Sequence, residues 1–341
     1  MIIARKIKSF VEELKTYGYK EVYWHVLYMI TKDDQYYLKQ IQQKDIALRN
    51  KSHDEVVELI KAQYKDVLCK ELNLDNPRTY NEKCQWLNAY DALPIKTRLA
   101  DKYLVRSWIE EKMEGKESIL VPLIGVFDSI DEVDFDLLPN QFCIKTNHGC
   151  AMNYVVRDKN ALSKEEIAHI KSLVARWMQT PFWVQSFELH YRDIPRKILV
   201  EQYIEGLDGN LFDYKFLCFG GEPVYVNIIG DRDLKAHTAK EADCNMDWEK
   251  VNIMDISYDE YEQLPPKPVC FEQMKEICRV LSKDFPFVRV DLYEIDGKVL
   301  FGEMTFTPGA LMEQWSNEQM HLTVGDMIQL PQNKYKLFDE K

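Results

Sequence analysis

No CxxC pair occurs in this chain, whose eight cysteines lie scattered at 69, 84, 143, 150, 218, 244, 270 and 278. That spacing excludes a paired zinc knuckle and reads as reduced, buried thiols of a cytoplasmic protein. No stretch approaches the roughly 18 uncharged apolar residues that a membrane span requires. The N-terminus also lacks the uninterrupted apolar core of a secretory signal. An excess of positive charge is missing as well: 44 Lys and Arg face 56 Asp and Glu, for a net charge of −12. A general nucleic-acid binder needs a basic field to displace counterions, so that class is excluded. A nucleotide substrate is not excluded, because a few local lysines and a metal can outweigh the global sign.

What is present is a large globular chain. Its 341 residues are 46% hydrophobic and 12% aromatic, enough for two or three structural subdomains. No internal repeat or long flexible linker interrupts it. Residues 1–75 read as mostly helical, with the helical spacing of Lys44–Tyr64 broken near Asn50–Ser52. Residues 1–30 mix Arg5, Lys6 and Lys8 with an aromatic and aliphatic run over Val22–Ile30. They read as an N-terminal helix packed on the body, or as an amphipathic helix lying at an anionic membrane surface.

Asn76-Pro77 marks a break, after which Thr79 caps a helix with Glu82 at the capping-box position. A further helix is expected from Leu99 through Asp101-Lys102 to about Glu114, closed by Gly115. Short strands follow at Ile119–Leu123 and Gln141–Thr146, then a helix opened by Ser163 with Glu166, and a strand at Lys197–Ile204. Asp213–Phe219 and Pro223–Ile229 flank Gly220-Gly221 as one hairpin. A helix at Phe271–Lys283 precedes a second hairpin, Phe287–Tyr293 with Val299–Phe306. Helices and strands alternate without a clean βαβ repeat, which predicts an α+β fold with prominent antiparallel pairs.

The second hairpin carries the chemistry. Period-2 alternation puts Arg289, Asp291 and Tyr293 on one face and Val288, Val290 and Leu292 on the core face. In the return strand Val299, Phe301, Glu303 and Thr305 are expected to share a face. A tight turn at Asp296-Gly297 would set Asp291 opposite Gly302. An odd-length loop would set Asp291 opposite Glu303 and Arg289 opposite Thr305, and that register is the expectation. It joins two carboxylates beside a guanidinium, an arrangement that a hard divalent cation explains. Lys145 lies in the apolar strand Phe142-Cys143-Ile144, where an unpaired ammonium is costly and a phosphate partner would resolve the cost. Gly149, in Thr146-Asn147-His148-Gly149, would let backbone N–H groups close on a triphosphate. His148 reads equally as a phosphate or substrate contact and as a loop histidine with local hydrogen bonds.

Arg289-x-Asp291, a turn, then Gly302-Glu303-x-Thr305-x-Thr307-Pro308-Gly309 resembles the C-terminal metal hairpin of the ATP-grasp superfamily. D-alanine–D-alanine ligase and its relatives carry R-x-D and E-x-N-x-x-P-G; here Thr305 stands in place of the asparagine ligand. The resemblance extends to the TupA-like branch, named for teichuronopeptide synthesis. It runs through Asn76-Pro77-Arg78-Thr79-Tyr80-Asn81-Glu82-Lys83, Asp101-Lys102-x-x-Val105-Arg106, Lys145-x-Asn147-His148-Gly149, Asp213-Tyr214-Lys215-Phe216 and Asp284-Phe285-Pro286-Phe287.

The resemblance implies an ATP-grasp fold, two α+β lobes clamping ATP behind an N-terminal helical extension. It divides the chain into 1–75, 76–140, 141–205 (lid) and 206–341 (catalytic lobe). Lys102, Lys145 and Gly149 would then contact the ATP phosphates. Glu201 would accept from the adenine amino group, Tyr203 would offer backbone to the ring edge, and Glu205 would take the ribose hydroxyls. Asp291, Glu303 and Thr305 would hold Mg2+, while Arg289, Lys215 and His148 would serve catalysis. The activity implied joins a carboxylate donor (a uronic acid or peptide) to an amine acceptor (an amino acid) through an acyl phosphate. It would act in bacterial capsule, O-antigen or wall-polymer synthesis, in the cytoplasm or at the inner membrane face. No protein nucleophile is needed, and the chain has no GxSxG motif. Two rivals are a glycosyltransferase using Asp231-Arg232-Asp233 as a DxD motif, and a non-catalytic nucleotide-binding scaffold. Asp231, Arg232 and His237 could also meet the acceptor or line a loop.

Overall fold

A computed structural model describes residues 34–204, 211–233, 238–253, 255 and 258–339. The expectations for residues 1–30, Glu205 and His237 fall outside the described residues. The interruption at Asn50–Ser52 separates two helices, Asp34–Arg49 and His53–Leu68. Ser52 and Glu55 exchange both hydrogen bonds of a capping box, so the second helix starts where the first cannot continue. The same device opens Tyr80–Tyr90 (Thr79 with Glu82) and Lys164–Gln179 (Ser163 with Glu166).

The helix expected from Leu99 to Glu114 is interrupted after Ala100: Leu99 and Ala100 end one helix, Pro94–Ala100, and a second runs over Leu104–Lys112. Asp101 causes the split: its carboxylate accepts from the amides of Tyr103 and Leu104 at 2.8 and 3.1 Å. Such local side-chain bonding competes with helix continuation. Lys102 therefore sits in the turn between helices rather than at a helix start.

Strands β1 (Leu123–Phe127), β2 (Phe142–Thr146), β3 (Asn153–Val156) and β4 (Ile198–Gln202) form an antiparallel sheet in the order β1-β4-β2-β3. β1, from before residue 140, thus joins strands that follow it. The strand expected at 119–123 begins later, at Leu123, and the residues before it stitch the two sheets together. Phe301 N donates to Ile119 O (2.7 Å), and Gln202 N donates to Pro122 O (2.9 Å).

A seven-stranded sheet follows. It contains β5 (Asp213–Phe219), β6 (Glu222–Asp233), β7 (Thr238–Asn245), β8 (Lys250–Val251), β9 (Asp259–Glu260), β10 (Phe287–Ile295) and β11 (Lys298–Thr305). Its order is β11-β10-β5-β6-β7-β8, with β9 beside β7. Val288, Val290, Leu292, Val299 and Phe301 are buried with Met274, Ile277 and Leu281 of helix Phe271–Ser282. Val56, Val57, Ile60 and Tyr64 belong to a separate helical core, and Ile170 and Val174 close the four-stranded sheet. Two sheets, antiparallel except for the short β7–β9 pair and each covered by helices, confirm the α+β expectation.

The β10–β11 register corrects one expectation and keeps another. Ile295 pairs with Lys298, so Asp296-Gly297 is the tight two-residue turn, with φ of 50° and 73° at its two positions. Yet Asp291 still faces Glu303, and Arg289 faces Thr305. The register shifts between Asp291 and Leu292, leaving Gly302 as the extra residue of a bulge. A Cβ on Gly302 would sit 3.0 Å from the Asp291 carbonyl oxygen. The bulge also corrects the facing pattern: Val299 and Phe301 are in the core, whereas Glu303 and Thr305 lie beside Arg289 and Asp291.

Candidate active site

β10 presents Arg289 and Asp291 two residues apart, on one face. Arg289 Nε and Nη2 donate to Asp291 Oδ1 and Oδ2, both at 2.7 Å. Nη2 also donates to Glu303 Oε1 (3.2 Å) and Thr305 Oγ1 (3.1 Å), and the Thr305 hydroxyl donates to Glu303 Oε1 at 3.1 Å. β5 adds Lys215 directly opposite Asp291. Lys215 Nζ lies 2.9 Å from Asp291 Oδ2 and 2.7 Å from Asp213 Oδ2, which Arg232 also reaches at 3.0 Å. Asp291 is 1% exposed.

Lys102 extends the cluster toward the other sheet. Its Nζ donates to Gly149 O at 2.6 Å and stands 3.7 Å from Glu303 Oε2. Four cations therefore surround three carboxylates, a local positive excess in an acidic chain. Burial pushes the Asp291 carboxyl up, against the pull of Arg289 and Lys215. Burial would raise Glu303 too, but Lys102, Arg289 and Lys215 hold its carboxyl down to about 2. The asymmetry leaves Glu303 ionised across the whole physiological range.

On the four-stranded sheet, Lys145 has a partner within the protein. Its Nζ lies 2.6 Å from Glu201 Oε2, and Arg106 Nη1 meets Glu201 Oε1 at 3.4 Å. Glu201 is 5% exposed, so the burial cost of Lys145 is met across β2 and β4. Tyr203 follows β4 directly and is half-buried.

Asn147 fixes the neighbouring loop: its side chain donates to Pro195 O (2.8 Å) and accepts from Lys197 N (2.7 Å). A Cβ on Gly149 would lie 3.0 Å from both Met152 and Phe182. His148 turns away into the interior, 2% exposed, with Nε2 3.2 Å from Thr180 O. Burial, with Arg196, lowers its pKa to about 4, so the imidazole is neutral. This placement fits the reading of a loop histidine with a local hydrogen bond.

Arg106, Asp213 and Glu188 also belong to the site, and the sequence alone assigns them no role in it. Arg106 and Asp213 had a usable signal, since Asp213 precedes Lys215 by two positions on one strand face. Glu188 had none. It is 7% exposed and accepts from Thr307 Oγ1 at 2.6 Å, and burial together with Glu303 lifts its carboxyl to about 7. Asp231-Arg232-Asp233 ends β6 of an antiparallel sheet, not a Rossmann-like half, and Arg232 is spent on Asp213.

A family model, TupA-like ATPgrasp, matches residues 82–329. The chain belongs to the TupA-like ATP-grasp family. Its fold is accordingly the ATP-grasp fold, here preceded by the helices Asp34–Arg49 and His53–Leu68. Among solved structures, D-alanine–D-alanine ligase from Bacillus anthracis is similar at 17% identity and TM-score 0.41. That match covers 68% of this chain and 66% of the other. The Helicobacter pylori D-alanine–D-alanine ligase gives 15%, 0.40, and coverages of 69% and 60%. The ATP-grasp ligase PsnB, complexed with a precursor variant, Mg and ADP, gives 11%, 0.38, and coverages of 69% and 59%. This chain thus spans just under two thirds of the length of these ligases. No match appears among curated proteins. Among the described residues of this TupA-like protein, no helix is long and apolar enough to cross a membrane.

Proposed function

We propose that this protein is an ATP- and Mg2+-dependent carboxylate–amine ligase. The observation that carries the reading is the Arg289–Asp291–Glu303–Lys215 cluster, with Lys102 bridging from it to Gly149. Opposed carboxylates on neighbouring strands supply the oxygen donors that Mg2+ prefers, and that ion typically takes one or two carboxylates plus substrate phosphates. Asp291 and Glu303 would hold it. Thr305, which hydrogen-bonds Glu303, stands at the third ligand position. The bound ion would offset negative charge on the transferring phosphoryl group.

Lys102, Lys145 and the backbone at Gly149 would bind the ATP phosphates. Glu201, with Tyr203, would face the adenine while oriented by Lys145 and Arg106. The donor carboxylate oxygen attacks the γ-phosphorus, the bond to the bridging oxygen breaks, and ADP leaves. The acceptor nitrogen then adds to the acyl carbon of the acyl phosphate. Arg289 and Lys215 stabilise the oxyanion, phosphate departs with the C–O electron pair, and the nitrogen loses a proton. Family membership supports a product of surface-polymer synthesis. It would be an amide between an amino acid and a uronic-acid or peptide carboxylate of a capsule, O-antigen or wall precursor. An ATP substrate supports a cytoplasmic site of action.

The test is Mg2+-dependent release of ADP and phosphate with a panel of carboxylates and amines. Release of UDP from a sugar nucleotide would instead identify a glycosyltransferase, and no turnover with any donor would leave a nucleotide-binding scaffold.

A further inference from the structure

Asp213 opens β5, and Lys215 follows two positions later on the same face. The Lys215 ammonium is shared between two strands. Its Nζ lies 2.7 Å from Asp213 Oδ2 on its own strand and 2.9 Å from Asp291 Oδ2 on β10. From the end of β6, Arg232 Nη2 donates to the same Asp213 oxygen at 3.0 Å. One carboxylate oxygen therefore carries two cations. The other, Oδ1, is buried and has no hydrogen-bond partner. Asp213 as a whole is 5% exposed.

Stability does not explain this arrangement. A buried carboxylate with an unsatisfied oxygen works against the fold, and a buried ion pair is often no better than an apolar pair of the same volume. Asp213 is also ill placed to be a further metal ligand, since Oδ2 is taken by two cations and Oδ1 is enclosed.

What the arrangement does satisfy is a requirement on Lys215. A lysine ammonium is a compact point charge on a flexible four-carbon stem, and it follows whichever anion is nearest. Asp291 is a contested partner. The oxygen that meets Lys215 also accepts from Arg289 Nη2 at 2.7 Å, and a divalent ion at the hairpin would draw on the same carboxylate. Asp213 lies outside the expected metal set. It holds the ammonium from its own strand, Arg232 fixes its carboxylate, and the idle Oδ1 has capacity for a second N–H from Lys215.

We propose that Asp213, braced by Arg232, is the positioning residue for Lys215. It keeps the ammonium on the reacting face of the sheet when Asp291 turns to the metal, and Lys215 then meets the terminal phosphate of ATP. Asp213 itself touches neither nucleotide nor metal. The proposal rests on the ligase reading and deepens it: the transferring phosphoryl group is recognised through a relay from β6 to β5, Arg232 to Asp213 to Lys215.

Calorimetric titration of the full chain with ADP and with a non-hydrolysable ATP analogue, both with Mg2+, isolates the terminal phosphate. The wild type should prefer the analogue. Asp213→Asn removes a negative charge, so an effect of charge alone would strengthen that preference. Loss of the Lys215 position should weaken it instead, at least fivefold, with ADP affinity held within twofold. Arg232→Gln, at a side chain 26% exposed, spares the fold and should weaken the preference at least twofold. In a Lys215→Met background neither change should weaken it further, because a residue that acts through Lys215 then has nothing to act on. An unchanged or stronger preference in Asp213→Asn overturns the proposal, as does the same result in Arg232→Gln where the first variant does not fold. Further loss in the Lys215→Met background also overturns it. A wild type that binds neither nucleotide defeats the ligase reading and the proposal with it. A wild type that prefers the analogue, matched by both variants, defeats the positioning role alone.

Discussion

Asp291 and Glu303 face each other across β10 and β11 because a single residue, Gly302, is left over in the ladder between them. The two carboxylates have unequal surroundings, and their substitutions should differ accordingly. Asp291 is 1% exposed and answers two cations, so Asp291→Ala leaves Arg289 and Lys215 under-compensated. Breaking such a pair costs about 3–5 kcal/mol, and both turnover and thermal midpoint should fall. The Glu303 side chain is 28% exposed, and Glu303→Gln should abolish ADP release while changing stability by about 1 kcal/mol or less. Wild-type turnover in Glu303→Gln would remove the hairpin from the site.

Glu188 should be legible in the pH dependence of stability. Burial and Glu303 raise its carboxyl from 4.5 to about 7. A raised acid binds its proton more tightly in the native state, so its contribution is full below pH 4.5 and is lost as pH rises through 7. Denaturant midpoints between those limits should decline more steeply for the wild type than for Glu188→Gln. Parallel curves would show that Glu188 is ionised in the fold.

The Lys145–Glu201–Arg106 triad should govern nucleotide affinity. Lys145→Ala removes a partner 2.6 Å from a carboxylate that is 5% exposed, and would remove a phosphate contact as well. ATP affinity should weaken at least tenfold, with smaller losses in Arg106→Ala. Fluorescence titration with a nucleotide analogue measures both, and unaltered binding in Lys145→Ala would place the nucleotide elsewhere.

His148, neutral and turned to Thr180 O, should not titrate in the working range. The rate–pH profile of His148→Gln should therefore parallel that of the wild type between pH 6 and 8, at a moderately lower rate. Loss of an ionisation near neutrality in the variant would restore His148 to a chemical role.

Much of this architecture was readable because its determinants are local. The capping boxes at Ser52, Thr79 and Ser163 need only a hydroxyl and a carboxylate three residues apart. The alternation of Val288, Val290 and Leu292 marks the core face of β10 directly. What escaped was non-local or depended on one backbone choice. A bulge at Gly302 and an odd-length loop both bring Asp291 to Glu303, and composition does not separate them. Asp101 splits its helix by a side-chain bond that competes with helix propensity. Glu201 answers Lys145 from 56 positions away, so the apolar strand alone pointed to a phosphate and not to a protein partner. Glu188 sits in an irregular segment, where no periodicity points a side chain anywhere.

Glu303, Asp291, Lys215, Asn227 and Asp243 stand opposite one another in a row across β11, β10, β5, β6 and β7, and that row also bears on how the chain folds. Each member comes from a different strand, and Asp291 and Lys215 are 76 residues apart. Long-range strand pairing is slow compared with the closing of capped helices. During refolding, helical signal should return first and ligase turnover last, with no partly active species between them. A one-residue slip in any of the five strands would send its member of the row to the opposite face. Competence in this protein is then a property of the finished sheet, acquired all at once.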